Sequence, residues 1–212
     1  MEANSLNKLK VLKADFVVSA TQAAHFPPPV LPEVAFVGRS NVGKSSLLNV
    51  LTGKSKLARV SRTPGRTRLI NFFEIELYRG LQKLRLRLVD LPGYGYAKVS
   101  KAESENLRQM LRGYLQRGPC LQVLVWLIDA KVGLTAVDMQ ILELLEENPA
   151  RLLLVATKTD QLPKAQRKVQ LGRIASALEL PLEAVFAVSA KEGWGLEPLW
   201  ENLLPSLTFS QP

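Results

Sequence analysis

The chain has 212 residues, 47% of them hydrophobic, and a formal net charge of +9. That length suits one α/β domain with a single core, and a lone cysteine, Cys120, with a lone histidine, His25, excludes an internal disulfide, a zinc cluster and a Ser-His triad. No apolar run approaches the length that spans a bilayer, and Lys8, Lys10, Lys13 and Asp15 interrupt the N-terminal apolar residues where a secretory leader would be continuous, so a soluble, cytoplasmic protein is expected.

Residues 1–32 read as an extension that packs on a main domain over 33–208. Within it Asp15-Phe16-Val17-Val18 suits an edge strand, and Pro27, Pro28 and Pro29 turn the chain beside a solvated His25. The apolar run Val34-Ala35-Phe36-Val37 then predicts a buried strand. It leads into Gly38-Arg39-Ser40-Asn41-Val42-Gly43-Lys44-Ser45 and a helix that continues through Ser46 to residue 51. A phosphate needs dense donors without side chains in the way, so glycines that let backbone N–H groups wrap it, ahead of a helix N-terminus, form a phosphate cradle. Lys44 would reach the β- and γ-phosphates, and the Ser45 hydroxyl would ligate Mg²⁺.

A loop over 53–67, rich in basic, Ser/Thr, Pro and Gly residues, precedes a strand over 69–77 and, after a turn at 78–82, a strictly alternating strand over 83–88. These two should form an antiparallel hairpin at the sheet edge. Asp90-Leu91-Pro92-Gly93 ends the second strand, where the Asp90 carboxylate can hold Mg²⁺ through water and the Gly93 N–H can meet the γ-phosphate. Helices over 101–117, 135–147, 164–178 and 196–204 then alternate with Val/Leu-rich strands over 123–128, 152–156 and 185–188. The expected fold is a three-layer α/β domain: a mostly parallel six-stranded sheet with one antiparallel edge hairpin and helices on both faces. Right-handed crossovers put the loops after the parallel strands on one rim.

Two more motifs fall on that rim. In Thr157-Lys158-Thr159-Asp160 the Asp160 carboxylate can accept from N1 and N2 of guanine while the Lys158 stem covers the ring. In Ser189-Ala190-Lys191 the Ala190 N–H can donate to guanine O6. Adenine lacks that donor pair, and the wrong base would leave a buried carboxylate unpaired, discrimination on the order of 10⁴-fold.

The charge surplus exceeds what a nucleotide with Mg²⁺ requires, so a second polyanion is expected. Basic residues gather at Lys54, Lys56, Arg59, Arg62, Arg66 and Arg68, at Arg79, Lys83, Arg85 and Arg87, and at Lys164, Arg167, Lys168 and Arg173, whereas Asp138, Glu143, Glu146 and Glu147 share one predicted helix. Trp126, Trp194 and Trp200 read as core or helix-packing residues.

Gly38 to Ser46, Thr63-Pro64-Gly65-Arg66-Thr67 with Asn71-Phe72-Phe73, and Asp90-Leu91-Pro92-Gly93-Tyr94-Gly95-Tyr96-Ala97 together make the chain resemble the P-loop GTPase (G domain) fold. In particular it is similar to the EngB family of bacterial ribosome-biogenesis GTP-binding proteins, within the TrmE-Era-EngA-EngB-Septin-like group. Thr157-Lys158-Thr159-Asp160 also fits, since that family tolerates Thr where most G domains have Asn. The resemblance implies GTP and GDP with Mg²⁺ as ligands, a role in assembly of the large ribosomal subunit through ribosomal RNA and proteins, no DNA or membrane partner, and a monomer. Residues 38–46, Gly65, Thr67, Asp90, Gly93, Thr157, Lys158, Asp160, Ser189, Ala190 and Lys191 would hold the nucleotide. Thr67 would be the switch I threonine, with its hydroxyl on Mg²⁺, and Thr63 is the alternative. Thr157, shorter than Asn, is expected to lose a bond to the P-loop or the base, giving micromolar affinity. Tyr94 stands where Ras-like enzymes place the glutamine that orients water, so unassisted hydrolysis should be slow. Asn41 matches the P-loop asparagine that holds K⁺ in the tRNA-modification enzyme MnmE, which makes K⁺ a candidate activator beside Lys44, Thr67 and Gly93. A second reading is a basic RNA-binding assembly factor in which GTP is mainly a structural ligand.

Overall fold

The strand over Glu33–Gly38 is buried along its whole length, with Val34 and Phe36 on one face and Ala35 and Val37 on the other. A strand apolar on both faces must lie between two helical layers. The computed structural model, which describes residues 9–58, 69–95 and 100–209, builds those layers from β1 (Leu9–Ala20), β2 (Glu33–Gly38), α1 (Lys44–Leu51), β3 (Ile70–Arg79), β4 (Gln82–Asp90), α2 (Lys101–Leu115), β5 (Leu121–Asp129), α3 (Ala136–Glu146), β6 (Arg151–Thr157), α4 (Lys164–Ala177), β7 (Val185–Ala187) and α5 (Leu196–Leu203). The sheet order is β1-β3-β4-β2-β5-β6-β7. β4, β2, β5, β6 and β7 run parallel, and β1 and β4 both pair antiparallel with β3.

The period-two alternation divides the core. Val34, Phe36, Ile75, Leu86, Leu88, Val125 and Val155 pack beneath α1 and α5 through Leu47, Leu48, Leu199, Trp200 and Leu203. On the other face Ala35, Val37, Phe72, Val89, Leu124, Trp126 and Ala156 pack against Tyr114 of α2, Ile141 of α3 and Ile174 of α4. Each fully buried Leu or Phe contributes about 1.5–3 kcal/mol. No helix among the described residues is long and apolar enough to cross a membrane.

The sheet has seven strands rather than the expected six, because the extension supplies β1. It pairs with β3 from Leu9 opposite Arg79 to Ala20 opposite Ile70, with register shifts between Val11 and Lys13 and between Phe16 and Val18. The β3–β4 hairpin is therefore one strand in from the edge. Lys13 and Asp15 disguise β1 in the sequence because they lie on its exposed side, 2.7 Å apart as an ion pair.

Glu33, fully buried at the start of β2, anchors the remainder of the extension. It accepts from Tyr114 Oη at 3.0 Å, Arg117 Nη2 at 3.0 Å and Arg87 Nη1 at 3.3 Å. Arg117 also donates to the Pro27 carbonyl and lies over the Phe26 ring, 5.5 Å from its centroid. Arg87 Nη1 donates to the Pro28 carbonyl at 2.5 Å, so two cations bolt the proline turn to the domain. Arg87, read in the sequence as part of a basic surface, is instead 2% exposed and spent inside the fold.

Candidate functional site

The loop between β2 and α1 reverses through two left-handed residues, Asn41 (φ 65°) and Gly43 (φ 102°). Asparagine tolerates that conformation and glycine has no Cβ to oppose it. Such a loop feeds directly into the first turn of α1, whose leading N–H groups have no acceptor within the helix, a surface that suits anions. Lys44 is 8% exposed, and its Nζ donates to Oδ1 of Asp90, itself 2% exposed at the end of β4. An ammonium and a carboxylate are therefore adjacent and desolvated at the mouth of this loop. Ser45, half-buried in the same helical turn, adds a hydroxyl. Hydroxyl and carboxylate oxygens are the hard donors Mg²⁺ takes, with phosphate oxygens completing the set, so the residues fit that ion.

The strand-end loop carrying Gly93 is zipped onto the phosphate loop. The Ser40 N–H donates to the Tyr94 carbonyl at 2.8 Å, and the Tyr94 N–H to the Gly38 carbonyl at 3.4 Å. A Cβ at Gly93 would lie 3.1 Å from the Ser40 backbone, so only glycine lets the two loops touch without displacement. Tyr94 is 2% exposed and points into the core. Its hydroxyl donates to Asp138 Oδ1 at 2.8 Å and accepts from Trp126 Nε1 at 2.9 Å. Burial, with the Asp138 charge beside it, pushes the phenol pKa far up, so Tyr94 is a neutral structural residue whose hydroxyl is engaged with α3 and β5.

At the other end of the rim, Gly43, Ser46, Leu47, Thr157, Lys158, Asp160, Val188, Ala190 and Lys191 line one cleft of about 190 Å³. That is a fraction of the roughly 300–1,000 Å³ of a whole-ligand pocket, the scale of a subsite for one heterocycle. Thr157 Oγ1 donates to the Val42 carbonyl at 2.6 Å, so of the two losses expected for the shorter residue, the one to the phosphate loop does not occur. Lys158, left-handed at φ 56°, stretches along Gly43 and donates to the Asn41 carbonyl at 2.6 Å and Asp129 Oδ2 at 2.8 Å. Ser189, fully buried, donates through Oγ to Asp160 Oδ1 at 2.6 Å and accepts from the Glu192 N–H at 3.1 Å, which fixes the carboxylate. A Cβ at Gly195, which is left-handed, would strike the Ala187 carbonyl, so glycine there holds this loop against β7.

Residues 33–158 match the family model described as 50S ribosome-binding GTPase. A Myxococcus xanthus (strain DK1622) protein named "probable GTP-binding protein EngB" is 46% identical over 196 residues, which cover 92% of this chain and 95% of that one. One of the same name from Anaeromyxobacter dehalogenans (strain 2CP-C) is 44% identical over 198 residues, covering 92% and 91%. The chain belongs to the EngB family of GTP-binding proteins. A solved EngB structure superposes with a TM-score of 0.62 at 26% identity, over 82% of this chain and 97% of that one. A variant of Aquifex aeolicus Era bound to GDP and AlF₄⁻ gives 0.68 at 26% identity over 85% of this chain, which spans 58% of the Era chain. This EngB-family chain is thus a guanine-nucleotide-binding protein with a GTPase domain.

The structure brings Gly38, Arg39, Ser40, Asn41, Val42, Gly43, Lys44, Ser45 and Ser46 together with Asp90 and Gly93, and with Thr157, Lys158, Asp160, Ser189, Ala190 and Lys191, on one rim. Thr63, Gly65 and Thr67 lie outside the described residues. The root of their loop is held by Asn49, which accepts from the Ala58 N–H at 2.7 Å and donates to its carbonyl at 2.9 Å. Sequence reasoning missed Asp129 as the anchor of Lys158, although an Asp ending a buried strand on the functional rim was a signal. It also assigned Asp138 to an acidic surface, whereas that residue is fully buried. Trp126 and Trp200 are core, but Trp194 is 43% exposed, with the Arg167 guanidinium 4.4 Å from its ring centroid. Lys83 and Arg85, expected on a basic surface, pair with Glu76 and Glu74 across the hairpin at 3.0 and 3.4 Å.

Proposed function

We propose that the chain is a slowly hydrolysing GTP switch that times the binding of an assembly factor to the large ribosomal subunit or its precursor. The observation that supports this most directly is the shared cleft, in which the end of the phosphate loop, Lys158 and Asp160 line one cavity. Gly38 to Ser46 would wrap the phosphates, Lys44 would neutralise the β- and γ-phosphates, and Asp160, oriented by Ser189, would accept from the guanine edge. Ser45, Asp90 through water, and Thr67 would hold Mg²⁺, which supplies charge neutralisation at the transferring phosphoryl group. The Gly93 N–H, on a backbone that packs closely against Ser40, would meet the γ-phosphate. Asn41, exposed at the turn of the loop, is the candidate K⁺ ligand.

Slow hydrolysis is supported by Tyr94, whose hydroxyl is engaged with Asp138 and Trp126. A ribosomal RNA partner is supported by the charge of +9, by the family description, and by a structural relative: Era, 26% identical with a TM-score of 0.69, is solved in complex with nucleotides 1506–1542 of 16S ribosomal RNA. The buried Tyr94 also favours a second reading, an RNA-binding factor for which GTP is mainly a structural ligand. Cosedimentation with 50S subunits in GTP analogue and in GDP, together with single-turnover hydrolysis with and without subunits, tests both. State-dependent binding with stimulated hydrolysis is expected. Equal binding with no stimulation would favour the second reading, and no binding in either state would refute the ribosomal role.

A further inference from the structure

We infer that Asp138, in the first turn of α3, is a positioning residue for the phosphate end of the site and makes α3 part of the device that distinguishes GTP from GDP. This rests on the assignment of the phosphate loop and Gly93 given above. Asp138 has no solvent exposure. Its Oδ2 accepts from the Thr135 N–H at 2.9 Å and the Thr135 hydroxyl at 2.6 Å, the reciprocal cap that starts α3. The cap leaves Oδ1 over, and Oδ1 accepts from Tyr94 Oη at 2.8 Å, while Arg39 Nε of the phosphate loop stands 3.6 Å from Oδ2. One carboxylate therefore joins α3, the phosphate loop and the loop that carries Gly93. Trp126 of β5 closes the network through the Tyr94 oxygen.

Burying a carboxylate costs several kcal/mol unless donors offset it, and a helix cap alone does not require donors from two phosphate-binding loops. Through the side chain of Tyr94 the tie reaches the backbone that matters. The Tyr94 carbonyl accepts from the Ser40 N–H and the Tyr94 N–H donates to Gly38, so moving Tyr94 moves Gly93 and Ser40 together. Gly95 follows at φ 71°, and a Cβ there would lie 3.5 Å from Arg39 and 3.6 Å from Val137 of α3. The fixed point thus ends at a left-handed glycine seated between the phosphate loop and α3. A γ-phosphate drawing in the Gly93 N–H would pull against a point that Asp138 holds. Without Asp138 the same loop gives way, and the extra phosphate yields less binding energy.

The test is calorimetric titration of the full chain with GDP and with a non-hydrolysable GTP analogue in magnesium, alongside single-turnover hydrolysis and thermal unfolding. Asp138→Asn should lower the analogue-to-GDP affinity ratio by about fivefold or more, the range of coupling between linked sites. It should also slow hydrolysis. Thr135→Ala, which weakens only the cap, should lower the melting temperature and leave the ratio within about twofold, well under such a coupling. Tyr94→Phe should lower the ratio as Asp138→Asn does, and the double variant should go no lower, since the effect passes through Tyr94. If Asp138→Asn does not fold, Tyr94→Phe reads the same contact. An unchanged ratio in the folded variants, or an equal drop in Thr135→Ala, would overturn the inference alone. Wild-type protein that binds neither nucleotide would take down the site assignment with it.

Discussion

Replacing Tyr94 by Phe removes one oxygen from the centre of the molecule, and its cost can be worked from two contacts. Trp126, 1% exposed, would be left with an Nε1–H that has lost its acceptor; a buried donor without a partner costs about 1–3 kcal/mol. Asp138, a charged acceptor, would lose its bond at Oδ1, about 1.5–3 kcal/mol, but keeps Thr135 and Arg39 at Oδ2. Both losses share one atom and one small void, so they do not add in full, and about 2–4 kcal/mol of destabilisation is expected. For a chain of this size that lowers the melting temperature by about 5–15 °C. Urea unfolding at neutral pH, with the m-value unchanged, gives the number directly. A loss under about 0.5 kcal/mol, the scale of a surface substitution, would refute the network. Trp126→Phe in the Tyr94→Phe background should then cost less than it does alone, because the stranded donor is removed.

At the base end, Ser189→Ala deprives Asp160 of the donor that fixes it. Affinity for both GTP and GDP should fall about tenfold, or about 1.4 kcal/mol, by calorimetry, and unchanged affinity would mean that Asp160 is held by something else. Alkaline pH probes the phenols. Burial first, then the neighbouring carboxylates Asp138 and Glu33, raise Tyr94 and Tyr114 above the ordinary tyrosine value. The folded state therefore retains protons that the unfolded chain loses, so this stability is complete below about pH 10 and declines as pH rises past it, by up to about 1.4 kcal/mol per pH unit for each tyrosine. Urea titrations between pH 9 and 11 should show that decline, shallower in Tyr94→Phe, and an identical slope in the variant would show that Tyr94 is not among the groups responsible.

Most of the fold was legible because the parallel strands announce themselves. Val34 to Val37, and the Val/Leu runs of β5 and β6, carry no polar interruption, and every strand and helix read from the central domain begins and ends within two residues of its observed position. β1 escaped full recognition for a physical reason. An edge strand is solvated on one side, only Ala14 and Ala20 of β1 are buried, and its register shifts spoil strict alternation. The site was legible where local sequence fixes local geometry, as in the glycine loop and the Asp90 to Gly93 segment. It was not legible where tertiary contact decides. Nothing local shows that Asp138 faces Tyr94, forty-four residues away, or that Asp129 holds Lys158. The loss of a Thr157 bond to the phosphate loop was expected for the same reason: its length was compared with asparagine, whereas the closeness of Val42 is what lets a short hydroxyl reach.

The same tertiary pairing decides which positive charges remain for a polyanion. Lys83, Arg85 and Arg87 counted toward a basic surface, yet the hairpin sets Arg85 opposite Glu76 and Arg87 opposite Glu74, Lys83 pairs with Glu76, and Arg87 is consumed by Glu33 and Glu74. α4 differs, since its fourteen residues contain no acid. Lys164 and Lys168, one helical turn apart and exposed, have no ion pair among the described residues. Beside them Arg167 lies against the exposed ring of Trp194. If the partner is ribosomal RNA, phosphates should be drawn to α4 and not to the hairpin. Each lost phosphate contact lowers the slope of log affinity against log salt by about 0.7–0.9. Lys164→Gln with Lys168→Gln should therefore reduce the slope measured by filter binding to large-subunit RNA by about 1.4–1.8, whereas Lys83→Gln with Arg85→Gln should leave it unchanged. Equal reductions in the two double variants would mean that net charge alone drives binding, and a reduction confined to the hairpin variant would place the RNA on the opposite end of the sheet.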